Sequence, residues 1–313
     1  MEQTMIRKSL ARAFALLLLA VPLPETSAAE LIVQKVTNGV YAIVGELAQR
    51  SPANLGNNAT YGFVVTDEGV VLIDAGGSYQ GAARIEAAIR SVTDKPVVRV
   101  INTGGQDQRW LGNDYFQRKG AEIIAAAATV ADQKARADRQ REVLDRLVGK
   151  TGMAGTREAH ADRTFVDKLE ITVGDVQFHL RHVGPAHTPG DTLVWLPRPK
   201  VVFSGDVVYV ERMLSVGSVS DSRGWIEAFD AMAVLQPAYI VPGHGPVTDL
   251  KRARADTRDY LIALRQGVRE LLDSGGGLES VSRIDQSRFR YLKFYADLKG
   301  PNAHRVYREM EWE

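Results

Sequence analysis

Strand-like and helix-like runs alternate through both halves of this chain, and that alternation restricts its fold more than any other property. Residues 40–44, 61–65 and 70–73 are short runs rich in β-branched and aromatic residues, divided by Gly, Asn and Asp turns. Ala82, Ile85, Ala88, Ile89 and Val92 then recur at helical spacing. A strand is expected at 97–101, a short helix at 111–118 and a strand at 122–125. The charged segment 129–150 carries Val130, Val143, Leu144 and Leu147, which predicts a long surface helix. Strands return at 169–173, 176–181, 192–196 and 201–203. A helix follows around Trp225, Phe229 and Met232, then a strand at 239–241, and from about 249 the pattern is helical to the end. Such an order predicts two sheets covered by helices in one domain spanning 30–313, with a C-terminal helical extension. No linker rich in Pro, Gly or Ser interrupts it.

The N-terminus reads as a leader. Arg7, Lys8 and Arg12 precede an apolar run over 14–23, followed by polar residues and the small-residue pattern Ser27-Ala28-Ala29. This is the layout of a secretory signal peptide over 1–29, with cleavage after Ala29, and it predicts a periplasmic or secreted protein. An apolar run of roughly ten residues is too short to span a bilayer. Removing three basic and two acidic residues leaves 36 of each sign from the 39 and 38 of the full chain. A balanced chain has no bulk electrostatic reason to bind nucleic acid or an acidic membrane, so the expected partner is a small molecule. The chain has no cysteine. Any metal must therefore be held by His, Asp or Glu.

Three segments share one layout, a β-rich run leading into a glycine turn with a metal-capable side chain at its lip. They are Val183-Gly-Pro-Ala-His187-Thr-Pro-Gly-Asp191, Phe203-Ser-Gly-Asp206 and Val241-Pro-Gly-His244-Gly245. Two imidazoles and a carboxylate displayed this way suit zinc where thiolates are absent. Singly, each is weak: a lone His beside Gly and Pro is more often a turn residue than a ligand, and Gly-Asp is a common turn pair.

As an ordered set, His187 in Ala-His-Thr-Pro-Gly-Asp, Asp206 in Phe-Ser-Gly-Asp and His244 in Pro-Gly-His-Gly resemble the later metal motifs of the metallo-β-lactamase superfamily. Val71-Leu-Ile-Asp74-Ala-Gly-Gly resembles its early strand-and-turn motif. Asn54-Leu-Gly-Asn-Asn58 and the tail 291–313 are similar to a secreted subgroup found beside quinoprotein dehydrogenase and sulfur-oxidation systems. The resemblance implies a four-layer αββα sandwich with a one- or two-zinc site between the sheet edges. It also implies that Asp74 props a metal loop without binding metal.

The same resemblance exposes a departure. After Ile101-Asn102-Thr103 the family has His-x-His-x-Asp-His, two residues and Gly-Asn, whereas this chain reads Gly104-Gly105-Gln106-Asp107-Gln108-Arg109-Trp110-Leu111-Gly112-Asn113. In the ungapped register Gly104, Gln106, Gln108 and Arg109 stand where the four ligands belong. A register shifted by one residue puts Asp107 on the motif's Asp but displaces Gly112-Asn113, so the ungapped register is favoured. In the family, one zinc takes two motif His plus the counterpart of His187. The other takes the motif's Asp and His plus the counterpart of His244, and the counterpart of Asp206 bridges. Without the motif each metal keeps one His and a share of one carboxylate, fewer than the three or four donors a stable site uses. A permanent cation at Arg109 also opposes a divalent ion. Zinc is expected to be weakly bound or absent.

Three readings follow. One is a hydrolase of a small ester, lactone, amide or thioester, with a weakly held metal on His187, Asp206 and His244 and Asp107 as general base or fourth ligand. Another is a metal-poor pseudoenzyme that binds a small anionic ligand or a partner protein. Arg109 is then the fixed cation, pairing with Asp206, with Asp107 as the other option, or with the ligand itself. A third is metal-free chemistry through His187, His244 and Asp107, with Ser204 as the best available nucleophile. His182 could support His187. His160, His179 and His304 have no identifiable partners, and Trp110 and Trp225 read as core.

Overall fold

The computed structural model describes residues 30–313; the expected signal peptide, 1–29, lies outside them. Strands β1 (Ile32–Thr37), β2 (Val40–Val44), β3 (Thr60–Val65), β4 (Val70–Ile73), β5 (Val97–Ile101), β6 (Glu122–Ala126) and β7 (Arg163–Phe165) form one sheet in that order. Pairing is antiparallel from β1 to β4 and parallel from β4 to β7. Strands β8 (Lys168–Val173), β9 (Val176–His182), β10 (Thr192–Leu196), β11 (Val201–Tyr209) and β12 (Tyr239–His244) form the second sheet, with β11 and β12 parallel.

Why the strands read as unbroken apolar runs follows from what covers them. On β4, Val71 and Ile73 pack between the sheets against Phe178, Leu180, Val194 and Phe203. Val70 and Leu72 turn outward onto Ala82, Ile85 and Ile89 of α1 (Tyr79–Arg90). A strand covered on both faces is apolar at every position instead of alternating. The outer face of the second sheet is covered by Trp225, Phe229 and Met232 of α6 (Ser222–Ala233) and by Tyr260, Leu261 and Leu264 of α8 (Asp259–Asp273). Helix, sheet, sheet, helix is the four-layer sandwich expected. Among the described residues no helix is long and apolar enough to cross a membrane.

Inter-sheet packing is tight enough to make a test. A Cβ at Gly62 on β3 would lie 2.1 Å from Cε1 of Phe203 on β11. Both strands are fixed by their ladders, so Gly62→Ala is expected to destabilise by about 1–3 kcal/mol through overpacking. Chemical denaturation of the variant beside wild type measures this, and an unchanged midpoint would contradict the packing described.

Several elements differ from the sequence expectation. The helix expected at 111–118 is two short turns, α2 (Asp107–Trp110) and α3 (Asn113–Gln117), split at Gly112, where a Cβ would strike the Ala75 carbonyl at 2.0 Å. The expected surface helix is α4 (Ala127–Leu147), continued by the turn α5 (Gly149–Gly152). The buried stripe of α4 is mostly polar, Thr129, Asp132, Gln133 and Gln140 with Ala137 and Leu144, so an apolar periodicity could not reveal it. Strand β11 runs to Tyr209, six residues past its expected end, and β12 ends on His244. Asp206 and His244 thus sit within irregular strands, where the β11–β12 register shifts twice, and not on loops beyond them. Beyond 249 the chain forms α7 (Leu250–Ala253), one π-helical stretch (Arg254–Arg258), α8, two short 3₁₀ turns and α9 (Tyr295–Met310).

Candidate functional site

The site is assembled where β3, β4, β11, β12 and the 104–110 segment meet. His187, Asp206 and His244 come together there, each at least nine-tenths buried. His187 Nε2 lies 4.0 Å from Asp206 Oδ2 and His244 Nε2 lies 3.3 Å from Asp206 Oδ1. The convergence expected from the ordered motifs is present.

What occupies the centre is the guanidinium of Arg109, which is fully buried. Its Nη2 donates to Asp206 Oδ1 at 2.7 Å and its Nε to Asp206 Oδ2 at 3.1 Å, a bidentate fork. Nη1 donates to Asp74 Oδ2 at 2.9 Å and to the Thr60 carbonyl at 3.0 Å, and Nη2 also reaches the Gly243 carbonyl at 2.9 Å. A guanidinium has five N–H donors, and all five are used. Asp206 is the partner expected for Arg109; Asp74 is a second that the sequence did not suggest. Asp74, at φ +68°, also accepts from the backbone N–H and hydroxyl of Thr103 at 2.7 Å each, tying the cation to the end of β5.

Burial opposes ionisation of Asp206, but Arg109 and the two imidazoles outweigh it and hold this carboxyl well below its ordinary value. For Asp74 burial wins over Arg109 and Thr103, pushing the carboxyl up to about 6. Burial also lowers His187, and burial with the nearby Arg212 lowers His244 to about 3. Both rings are therefore neutral at pH 7, each with one N–H. With its proton on Nε2, His244 serves Asp206, and Nδ1 accepts from Arg212 Nη1 at 3.1 Å. The Asn58 carbonyl, 2.9 Å from the same Nδ1, is then left without that donor.

Gln108, not Asp107, reaches into the site, its Nε2 lying 3.3 Å from Asp206 Oδ2. Asp107 is buried to one side, where its Oδ1 accepts from Arg50 at 2.5 and 3.2 Å and from the Gln108 N–H at 2.8 Å. Gln106 accepts from Arg136 at 3.1 Å, and Arg136 pairs with Asp132 on the same helix. Gly104 is hemmed in: a Cβ there would lie 2.9 Å from Asp191 Oδ1. Ser204 is buried on β11 and donates only to backbone carbonyls, at 3.2–3.3 Å.

A zinc ion does not fit this donor set. Both oxygens of Asp206 are engaged by Arg109, and a divalent ion among them would face a buried cation at contact distance. Among the described residues no group of three or more His, Asp or Glu is arranged to hold a metal.

Above the site opens a cavity of about 220 Å³ lined by Arg50, Arg136, Arg212, His187, His244, Tyr209 and the 215–220 segment. A roomier one of about 420 Å³, lined by Thr37, Gly39, Val65, Val176, Leu196 and Pro197, contains none of the groups discussed. Tyr209 stacks on His244 with ring centroids 4.5 Å apart, and Trp225, in the core as expected, backs His187 at 5.0 Å.

Supporting residues were only partly legible. His182 donates from Nε2 to the Pro189 carbonyl, 3.0 Å away, bracing the His187 loop. His160, which had no expected partner, stacks on Trp110 at 5.0 Å and meets Gln133 at 3.1 Å. Gln140 bonds both the Trp110 indole and the Gly105 carbonyl, fixing the 104–110 segment. None of these Gln residues belongs to a recognisable pattern. Arg50 and Arg212 were missed as well, since isolated arginines carry no spacing signal.

Comparison with known proteins agrees with this architecture. The family model for the metallo-beta-lactamase superfamily matches residues 56–244. A metallo-beta-lactamase type 2 of Elizabethkingia meningoseptica is 25% identical over 213 residues, 67% of this chain and 76% of that protein. A linear primary-alkylsulfatase of Pseudomonas sp. (strain ATCC 19151) is 22% identical over 244 residues, 66% of this chain but only 46% of that protein. The solved structure of the stereoselective inverting sec-alkylsulfatase Pisa1 from Pseudomonas sp. superposes with a TM-score of 0.69 at 17% identity, covering 90% of this chain and 50% of that one. At that identity the likeness shows the fold alone.

Proposed function

Because the chain belongs to the metallo-beta-lactamase superfamily yet carries Arg109 at the heart of its site, we propose that it binds a small anionic ligand without a metal, as a pseudoenzyme on a hydrolase fold. The five-bond seating of Arg109 between Asp206 and Asp74 carries this reading. It supplies in a covalent, permanent form the positive charge that Asp206 would otherwise draw from zinc. The cationic cavity above supports an anion as the ligand, and the relationship to an alkylsulfatase puts sulfate esters among those to try. The leader-like segment 1–29 supports export, which places the ligand outside the cytoplasm.

The metal-dependent hydrolase reading has the convergence of His187, Asp206 and His244 in its favour. It requires Arg109 to leave a pocket in which every donor is satisfied, and Asp107 to give up Arg50. The test is a series of thermal melts of residues 30–313 in excess chelator, with acetate, methyl sulfate or phosphate against chloride at equal ionic strength. At least one oxyanion is expected to raise the melting temperature, by mass action on the folded state. A protein indifferent to all three that turns over esters once zinc is added would overturn the proposal.

A further inference from the structure

Three arginines line the cavity, and their charges are not equally compensated. Arg50 is paired with Asp107 and also donates to Gln108, and Arg136 is paired with Asp132. Arg212 has no carboxylate within salt-bridge distance among the described residues. Its Nη1 meets a neutral imidazole, and its Nε is buried with no hydrogen-bond partner at all. His187, which lines the same cavity, has its Nδ1 likewise buried and unpartnered. Unpaired buried polar atoms cost roughly 1–3 kcal/mol each, more when charged, so two on residues lining one cavity mark a place where a hydrogen-bonding group is missing.

We propose that Arg212 is the anchor of the ligand site, holding the single oxyanion of a small monoanion, a carboxylate or a sulfate ester, with His187 Nδ1–H as second donor. The proposal rests on the metal-independent reading above and adds which group binds and what charge it takes. With Arg50 and Arg136 already paired with aspartates, Arg212 is the one cation of the cavity wall without a carboxylate partner among the described residues, and beneath it Asp206 and Asp74 outnumber Arg109 by one charge. A monoanion pairs with Arg212 alone, whereas a dianion would bring a second, unpaired negative charge close to these carboxylates in a half-enclosed space. The volume equals that of about seven waters, which limits the ligand to roughly the size of a short-chain acid or alkyl sulfate.

The C-terminal extension is what sets Arg212 in place. Phe294, at φ +64°, lays its ring 5.2 Å from the guanidinium carbon, and Lys293 pairs with the backbone at Arg212. Within the π-helical turn, Thr257 bonds both backbone groups of Tyr209 and Asp256 accepts from the Glu211 N–H, pinning the strand end just before it. Beyond it, Arg305 of α9 donates to the Gly217, Ser218 and Ser220 carbonyls at 2.8–3.3 Å, and Asn302 accepts from the Val216 N–H. The cavity wall 212–220 is thus bound on three sides to the helical extension, while Arg212 to His244 and Ser220 to the His187 carbonyl tie it to the sandwich. A truncated chain ending near 249 would keep the sandwich's motifs and lose this wall.

Calorimetric titration of residues 30–313 in chelator, with sodium methyl sulfate, sodium acetate and inorganic phosphate, tests the anchor. Wild type is expected to bind methyl sulfate or acetate more tightly than phosphate dianion at pH 8. Arg212→Gln should weaken the preferred anion by about tenfold or more, the loss of a charged hydrogen-bonded partner. Arg212→Lys, which keeps the charge without the fork, should bind between the two. Arg223→Gln, on the exposed face of α6, should match wild type. Melts in chloride establish that each variant is folded. Methyl sulfate or acetate bound equally well by folded Arg212→Gln overturns the anchor while leaving the metal-independent reading intact. Tighter binding of phosphate dianion than of either monoanion overturns the charge assignment. Wild type that binds none of the three overturns both.

Discussion

Replacing Arg109 with Ala is expected to lower stability by about 3–5 kcal/mol, the loss that follows when one partner of a buried ion pair is removed and the other charges stay behind. In a domain of this size that corresponds to a fall in melting temperature of roughly 10 °C. The two carboxylates at Asp206 and Asp74, both at most 2% exposed, lose the only arginine or lysine within salt-bridge distance among the described residues. The pH dependence separates this cause from a simple cavity. In wild type the folded Asp206 lies below its ordinary value, so its contribution is present above about pH 4 and is lost only as the pH falls further. Without Arg109, burial is opposed only by the weaker hydrogen bonds from Thr103, Gln108 and His244, and the folded values rise. A carboxyl raised in the folded state stabilises below its unfolded value and loses that contribution as pH rises through the folded one. The deficit of Arg109→Ala should therefore shrink from pH 8 to pH 5. Denaturation midpoints at the two pH values measure it. A deficit independent of pH would mean that lost packing, not unpaired charge, is responsible.

A second large effect is expected from rebuilding the lost motif with Gly104→His, Gln106→His, Gln108→Asp and Arg109→His. This removes the obstructing cation and supplies four donors beside His187, Asp206 and His244. Zinc binding with an apparent free energy of about 10 kcal/mol is expected, together with a melting temperature that rises with zinc. Two obstacles are local: Asp191 must move by a few tenths of an ångström to admit a Cβ at 104, and Arg136 loses Gln106 as an acceptor. Metal-free, the variant should melt below wild type, because nothing then neutralises Asp206. If the rebuilt chain folds and its melt ignores zinc, the scaffold does not present its ligands as described here.

How much of this was written in the sequence depends on the kind of interaction. The two sheets and their covering helices were legible, because β4 and the 201–203 start of β11 are apolar on both faces and α1 and α6 carry clear helical stripes. His187, Asp206 and His244 were legible as an ordered set, and Arg109 as the residue that breaks the pattern. Its pairing with Asp206 followed from charge together with the geometry the family resemblance implies, with Asp107 as the alternative. Its second partner did not, because Asp74 is 35 residues away and only the β4–β5 pairing brings it near. The polar face of α4 was illegible for a related reason. Gln133 and Gln140 are ordinary helix-surface residues until the 104–110 segment is laid against them. Asp107, the one carboxylate in that segment, was read as a base or ligand, and the structure seats it against Arg50, a residue with no motif around it. The extension beyond 249 was legible as helix, but its hold on the 212–220 wall rests on Phe294, Asn302 and Arg305, which touch that wall only after folding.

The central claim, that a guanidinium stands where the superfamily places its metals, is tested most directly by counting metal. Protein comprising residues 30–313, purified without added metal or chelator, is analysed by inductively coupled plasma mass spectrometry, then again after equilibration with zinc and passage over a chelating resin. With Arg109 holding both oxygens of Asp206, well under one zinc per chain is expected before exposure and again after the resin. Close to two zinc ions per chain that survive the chelator would contradict it, for Arg109 would then have to lie elsewhere and other donors would have to take its place.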